Sequence, residues 1–162
     1  MLASAVVVGL VAGLATGGRF SRLGELYVRW WPVLAVAIVL RSVAGLTGDL
    51  AAATYVVAFA GIVAVALANR GLAGAWLIAL GAALNLLVVA VNGAMPISAA
   101  VVAGVGGAMP TDRLHTALTS ASRLVPLSDV IPFPVVRTAY SVGDVLIAAG
   151  GGWLTFAALR GK

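Results

Sequence analysis

Five apolar runs decide what this sequence can fold into. They cover roughly 1–17, 30–46, 51–68, 72–91 and 139–159. A membrane-spanning helix needs about 20 mostly apolar residues, with a usable range of about 17–25. Backbone exposed to lipid has no water to bond, so helices are the default form for such runs. Composition agrees: 62% of the 162 residues are hydrophobic and 9% are charged, against roughly 45–50% and 25% in soluble domains. So few charges cannot cover a water-soluble surface. The sequence predicts an all-α integral membrane bundle of five transmembrane helices, forming a single domain over 1–162. An ordinary soluble domain, a disordered chain and a coiled coil are excluded.

The basic residues orient the bundle. The formal net charge is +5, and the cations stand at the ends of the apolar runs. They therefore read as topology signals and not as a nucleic-acid surface. Arg19, Arg22 and Arg29 follow the first run, Arg70 follows the third, and Arg160 and Lys162 follow the fifth. Only Arg113, Arg123 and Arg137 fall on the opposite side. The positive-inside rule then places the N-terminus outside and the C-terminus inside. Tyr27, Trp30 and Trp31 suit the inner boundary, and Tyr140 the outer one. The first run begins directly after Met1 with no basic stretch, which argues against a cleaved signal peptide. It carries Ala5, Gly9, Gly13 and Gly17 at spacing four, a stripe that lets another helix approach closely. With no cysteine, disulfides, thiolate metal sites and cysteine nucleophiles are excluded.

The stretch 92–138 departs from this pattern. It is broken by Pro96, Pro110, Pro126, Pro132 and Pro134, and repeats Gly-Ala-Met-Pro at 93–96 and 107–110. Ile97–Gly106 is too short to span and too apolar for a free loop, so a re-entrant or interfacial half-helix is expected. Thr111–Val125 puts Leu114, Ala117, Leu118, Ala121 and Leu124 on one helical face, which predicts an amphipathic surface helix with Thr111 as its N-cap. Pro126–Pro134 is expected to be extended.

Polar groups within apolar runs are costly and are functional candidates by default. Arg41 lies deep in the second run and requires carbonyls, a cavity or an acid such as Asp144. Asn85 and Asn92 share one face of the fourth helix and suit hydrogen bonding between helices. Asn92 also stands where it can cap or orient the following loop. Ser141 and Asp144 have capping-box spacing. Asp112 follows Thr111 at a helix start, and Asp129 sits among prolines where a turn role is ordinary. His115 is the sole histidine, so no multi-histidine metal site is available. No metal and no cofactor is expected. On this topology Asn92, Asp112, His115, Asp129 and Asp144 all gather on the outer side. Two carboxyls meeting there in a low dielectric would have separated proton affinities and could activate a water.

Two resemblances follow. The run Gly17-Gly18-Arg19-Phe20 with Leu23, then Asn92-Gly93-Ala94-Met95-Pro96, His115, Leu127-Ser128-Asp129-Val130-Ile131-Pro132 and Ser141-Val142-Gly143-Asp144-Val145-Leu146 resembles a family of small bacterial membrane proteins of unknown function. It implies a polytopic protein of the bacterial plasma (inner) membrane and no particular activity. The order Asn92-Gly93-Ala94, Asp112-Arg113, Val142-Gly143-Asp144 is also similar to that of lipoprotein signal peptidases. That likeness implies a catalytic pair at Asp112 and Asp144 with Asn92 beside it. It departs from those enzymes in its five spans against their four, and in the short 94–111 interval between motifs. Gly143-Asp144 is similar to the glycine-aspartate motif of intramembrane proteases, with Ser141 in place of a glycine.

The leading expectation is a binding, transport or assembly component. Its outward-facing polar pocket would be lined by Arg41, Asn85, Asn92, Asp129 and Asp144. The first alternative is an aspartyl hydrolase using Asp144 with Asp112 or Asp129. The second is a structural subunit whose glycine-rich faces, including Gly150-Gly151-Gly152, contact partner helices. Membrane lipids, a membrane-protein partner or a second copy of the chain are the partners expected.

Overall fold

The structure is a computed structural model and describes residues 1–161, so Lys162 of the charge count lies outside the described residues. It is mostly helical. The main helices are α1 (Leu2–Ala15), α2 (Trp31–Val43), α3 (Ala51–Ala68), α4 (Ala75–Asn92) and α6 (Val142–Arg160), with a one-turn helix α5 (Ala99–Gly104) between the last two. These five main helices fall within the five apolar runs or overlap them closely. Three segments are long and apolar enough to cross a membrane: Gly48–Ala68, Ala75–Asn92 and Val142–Arg160. α1 and α2 have 14 and 13 residues, which gives each a length of about 20 Å at 1.5 Å per residue. α2 starts late because Trp30 takes a left-handed conformation (φ 63°), and past Val43 the chain tightens into a 3-10 turn over Ala44–Leu46.

The helices pack in the order α1–α6–α4–α3–α2. Small residues set the close approaches. A Cβ at Gly13 would meet the Leu159 side chain at 2.6 Å, and one at Gly152 would lie 2.8 Å from the Ala5 carbonyl oxygen. The small-residue stripe of α1 thus serves α6 of the same chain, which runs parallel to it. Gly150 faces Gly74 and Ile78, and Gly151 faces Leu2. The glycines expected to contact partner helices are therefore occupied within the fold, because α6 is clasped on both sides.

The all-α expectation needs correction at 92–141. β1 (Met95–Ile97) pairs in parallel with β2 (His115–Ala117), and β3 (Ile131–Phe133) pairs antiparallel with β4 (Thr138–Tyr140). The amphipathic helix expected over 111–125 is absent. Asp112 Oδ1 accepts from the backbone N–H of Leu114 (2.8 Å) and of His115 (3.1 Å), the local turn bonding by which Asp competes with helix. The backbone beyond then finds strand partners, with Met95 N–H donating to Leu114 O (2.7 Å) and Leu118 N–H to Ile97 O (2.9 Å). Of the apolar face read there, only Leu114 is buried. The half-helix expected over 97–106 shortens to α5, capped by Ser98, because Ile97 belongs to β1. Pro126–Pro134 is extended only at its end, following a 3-10 turn at Val125–Leu127.

Together these pieces form a cap over one end of the bundle. Met95 and Leu114 join Tyr55, Phe59, Ala82, Val88 and Val89 in one core. The opposite end gathers Arg19, Arg22, Arg29, Arg70 and Arg160. There Asn69 brackets Arg29, with Arg29 N–H donating to Asn69 Oδ1 (2.8 Å) and Asn69 Nδ2 to Arg29 O (2.9 Å). Arg160 donates to the Thr16 carbonyl.

Candidate functional site

At the capped end, α4 and α6 meet through polar groups in an otherwise apolar contact. Asn85 has no solvent exposure. Its Nδ2 donates to Asp144 Oδ1 (2.9 Å), and its Oδ1 accepts from Ser141 Oγ (2.8 Å). Ser141 and Asp144 complete the expected capping box: Asp144 N–H donates to Ser141 Oγ (3.0 Å) and Ser141 N–H to Asp144 Oδ2 (3.2 Å). Every heavy-atom donor and acceptor in this trio has a partner, as a buried polar network requires. Gly143 permits it, because a Cβ there would lie 2.6 Å from the Gly81 carbonyl oxygen and overlap the Asn85 amide.

Arg41 lies on the neighbouring helices' side of the same end. Its guanidinium stands 4.9 Å from the Tyr55 ring centroid and 5.9 Å from that of Phe59. The two rings stack at 4.3 Å. This is cation–π geometry. The alternative in which Arg41 pairs directly with Asp144 is not realised: no carboxylate among the described residues lies within 4.0 Å of it. Instead both side chains line one cavity of about 410 Å³, with Ser42 and Tyr140 as neutral polar groups, Leu2, Ile38, Phe59, Ile62 and Ile147 as apolar walls, and Met1, whose amino group donates to the Tyr140 hydroxyl (3.4 Å). Ligand pockets typically occupy about 300–1,000 Å³ and combine apolar walls with a few polar groups.

The cap holds a separate chain of ionisable groups. His115 Nδ1 is 2.8 Å from Asp112 Oδ1, and its Nε2 is 3.7 Å from Asp129 Oδ2. Asp129 is 4% exposed, and its Oδ1 has no hydrogen-bond partner. Burial, reinforced by the negative charge of Asp144 and opposed by Arg41, pushes its carboxyl up to about 8. Asp112 moves the other way. Partial burial works against its charged form, but the hydrogen bond and charge of His115, with two backbone donors, outweigh it and hold the carboxyl below its usual value. Asp112 thus organises a turn and a histidine, and does not cap a helix.

Of the five expected pocket residues, Arg41 and Asp144 line the cavity. Asn85 stands behind Asp144 and fixes its orientation. Asn92 and Asp129 are not among the lining residues. Asn92 ties down the cap: Arg123 N–H donates to its Oδ1 (2.8 Å), and its Nδ2 donates to Val88 O (2.9 Å) and Arg123 O (3.0 Å). Sequence reasoning missed Tyr55 and Phe59. Their signal was a tyrosine and a phenylalanine four apart in a run of small aliphatics, hence on one helix face.

The fold and site define a mostly helical protein with several long apolar helices, capped at one end over a small charged cavity. The chain belongs to the DUF5317 family, a family of unknown function, whose model matches residues 25–156. No curated protein matches it, and no solved structure does.

Proposed function

We propose that the protein is a five-span component of the bacterial plasma membrane, N-terminus outside and C-terminus inside, and that it binds an amphipathic molecule in its outward-facing cavity. Several observations support the membrane reading. The helix walls expose Val7, Val8, Val11, Val36, Val39, Val57, Leu80 and Trp153. So broad an apolar surface is a liability in water and ordinary against lipid. The two ends differ in charge in the sense the positive-inside rule requires. α1 and α2 fall short of the hydrocarbon thickness of about 30 Å, which calls for local thinning of the bilayer beside them. The cysteine-free sequence makes the orientation testable. A Ser120→Cys variant is labelled in intact cells by a membrane-impermeant maleimide, and Gly71→Cys only after permeabilisation. The reverse pattern overturns the orientation.

The observation that carries the binding reading is the 410 Å³ cavity, which joins apolar walls to an arginine and an aspartate without an ion pair. Lipid extraction of the purified protein, followed by mass spectrometry, tests it. Wild type retains an amphiphile, and Ile147→Trp, which fills the cavity, loses it. A wild-type protein that neither retains nor takes up any amphiphile overturns the reading.

A second reading, aspartyl hydrolysis, rests on Asp129. A buried carboxyl held protonated near neutrality, within the electrostatic reach of Asp144, is the uneven pairing such chemistry uses. It requires that Asp129→Asn and Asp144→Asn each abolish cleavage of a membrane-anchored peptide.

A further inference from the structure

We propose that the cavity selects a zwitterionic lipid, with its anionic group against Arg41 and its cationic group against Asp144, as in a phosphoethanolamine headgroup. The proposal rests on the binding reading above and names the ligand class.

Two charged side chains, Arg41 and Asp144, line the cavity beside Met1. An arginine stays charged at any relevant pH. A charge beside apolar walls is costly unless it is paired or hydrated. The Tyr55 and Phe59 rings support the Arg41 guanidinium from one side, and no acid of the described chain reaches it. An incoming anion would complete it. Asp144 is the complement. Each of its oxygens holds one intramolecular donor, from Asn85 and from Ser141. A carboxylate offers about four acceptor positions, so it can still take a cation. Asn85 and the capping box hold it in place.

Both side chains line the same cavity, so they act on one occupant. A ligand carrying only an anion satisfies Arg41 and is repelled by Asp144. A ligand carrying only a cation meets the opposite conflict. A ligand with both charges satisfies both, with the Tyr140 and Ser42 hydroxyls in the same lining as neutral partners. The remaining lining residues are Met1, whose amino group donates to the Tyr140 hydroxyl (3.4 Å), and Leu2, Ile38, Phe59, Ile62 and Ile147. Ile38 is also exposed on the outer wall of α2, so the apolar lining is continuous with the surface that meets acyl chains. That continuity favours a lipid over a free zwitterion.

The test uses native mass spectrometry of the full chain. The protein is released from mixed micelles that contain equal amounts of dioleoyl phosphatidylethanolamine, dioleoyl phosphatidylglycerol and dioleoyl trimethylammonium propane. Wild type is expected to retain the ethanolamine lipid over either of the others by about tenfold, the value of one charge-assisted contact. Arg41→Gln is expected to erase the advantage over the cationic lipid, and Asp144→Asn the advantage over phosphatidylglycerol. Selectivity is read within each variant, so a general loss of folding does not imitate the result. Retention of lipid without this order, or an order unchanged in both variants, overturns the zwitterion assignment and leaves the pocket reading standing. Retention of no lipid at all overturns both. Glycerophosphoethanolamine, the headgroup without acyl chains, forms the last arm. If it displaces the lipid at equal concentration, the ligand is a soluble zwitterion and the lipid assignment fails.

Discussion

Asn85 donates to Asp144 across the α4–α6 contact at 2.9 Å, and the same amide accepts from Ser141 at 2.8 Å. One side chain therefore couples the middle of one long helix to the N-terminal cap of another. Asn85→Ala removes both bonds and strands a buried hydroxyl. A buried group left without its partner costs about 1–3 kcal/mol. Thermal unfolding in detergent should report a clear fall in Tm. Asn85→Leu should fall further, since its methyl groups take the space that the amide shares with Gly143.

The glycines separate into two kinds, and alanine scanning should sort them. Gly81→Ala meets the Leu146 Cβ at 2.9 Å and the Gly143 carbonyl oxygen, and Gly143→Ala meets the Gly81 carbonyl oxygen. Each should destabilise by roughly 1–3 kcal/mol, the usual cost of overpacking. Gly104, within α5, has nothing within 4 Å of its ideal Cβ. Gly104→Ala should be neutral or stabilise by about 0.5–1 kcal/mol, because alanine loses less freedom in a helix.

Asp129 gives stability a pH dependence of definite sign. Its carboxyl titrates at about 8 in the fold, chiefly because of burial, and near 3.9 in an unfolded chain. Between about pH 4 and pH 8 the folded state binds the extra proton, so stability falls as pH rises through that window and levels above it. Asp129→Asn cannot lose that proton. Its melting profile from pH 4 to pH 9 should be flatter than that of wild type. Profiles that run parallel would show that Asp129 does not carry the dependence. His115, Asp144 and Arg41 are the other ionisable groups acting on this site.

Asn92 anchors the cap without touching the cavity. Asn92→Ala gives up both bonds to Arg123. Amide exchange should rise across 119–125 and stay unchanged in α6. Equal exchange in the two proteins would mean that other contacts hold the loop.

The helices were legible because their signal is local. A run of apolar residues and a stripe of glycines act over one or two turns, and Ser141 and Asp144 announce their capping box three residues apart. The cap was not legible, because its order comes from partners distant in sequence. Leu114, Ala117, Leu118, Ala121 and Leu124 carry a helical period, but Asp112 closes a turn and Met95–Ile97 supplies a strand for the next residues to join. The site was legible in part for the same reason. Arg41 and Asp144 stand out as charges within apolar runs. Their shared cavity depends on α2 and α6 lying on either side of α3 and α4, and no sequence spacing encodes that.

The placement of α6 between α1 and α4 also bears on how the molecule is made. α6 emerges from the ribosome after both of its neighbours, yet it occupies the slot between them. Until it arrives, Gly9 and Gly13 on one side and Gly74, Gly81 and Asn85 on the other have no surface to close on. Biogenesis must therefore keep an open half-assembly from collapsing or pairing wrongly, and synthesis of α6 becomes the step that both joins α1 to α4 and creates the cavity.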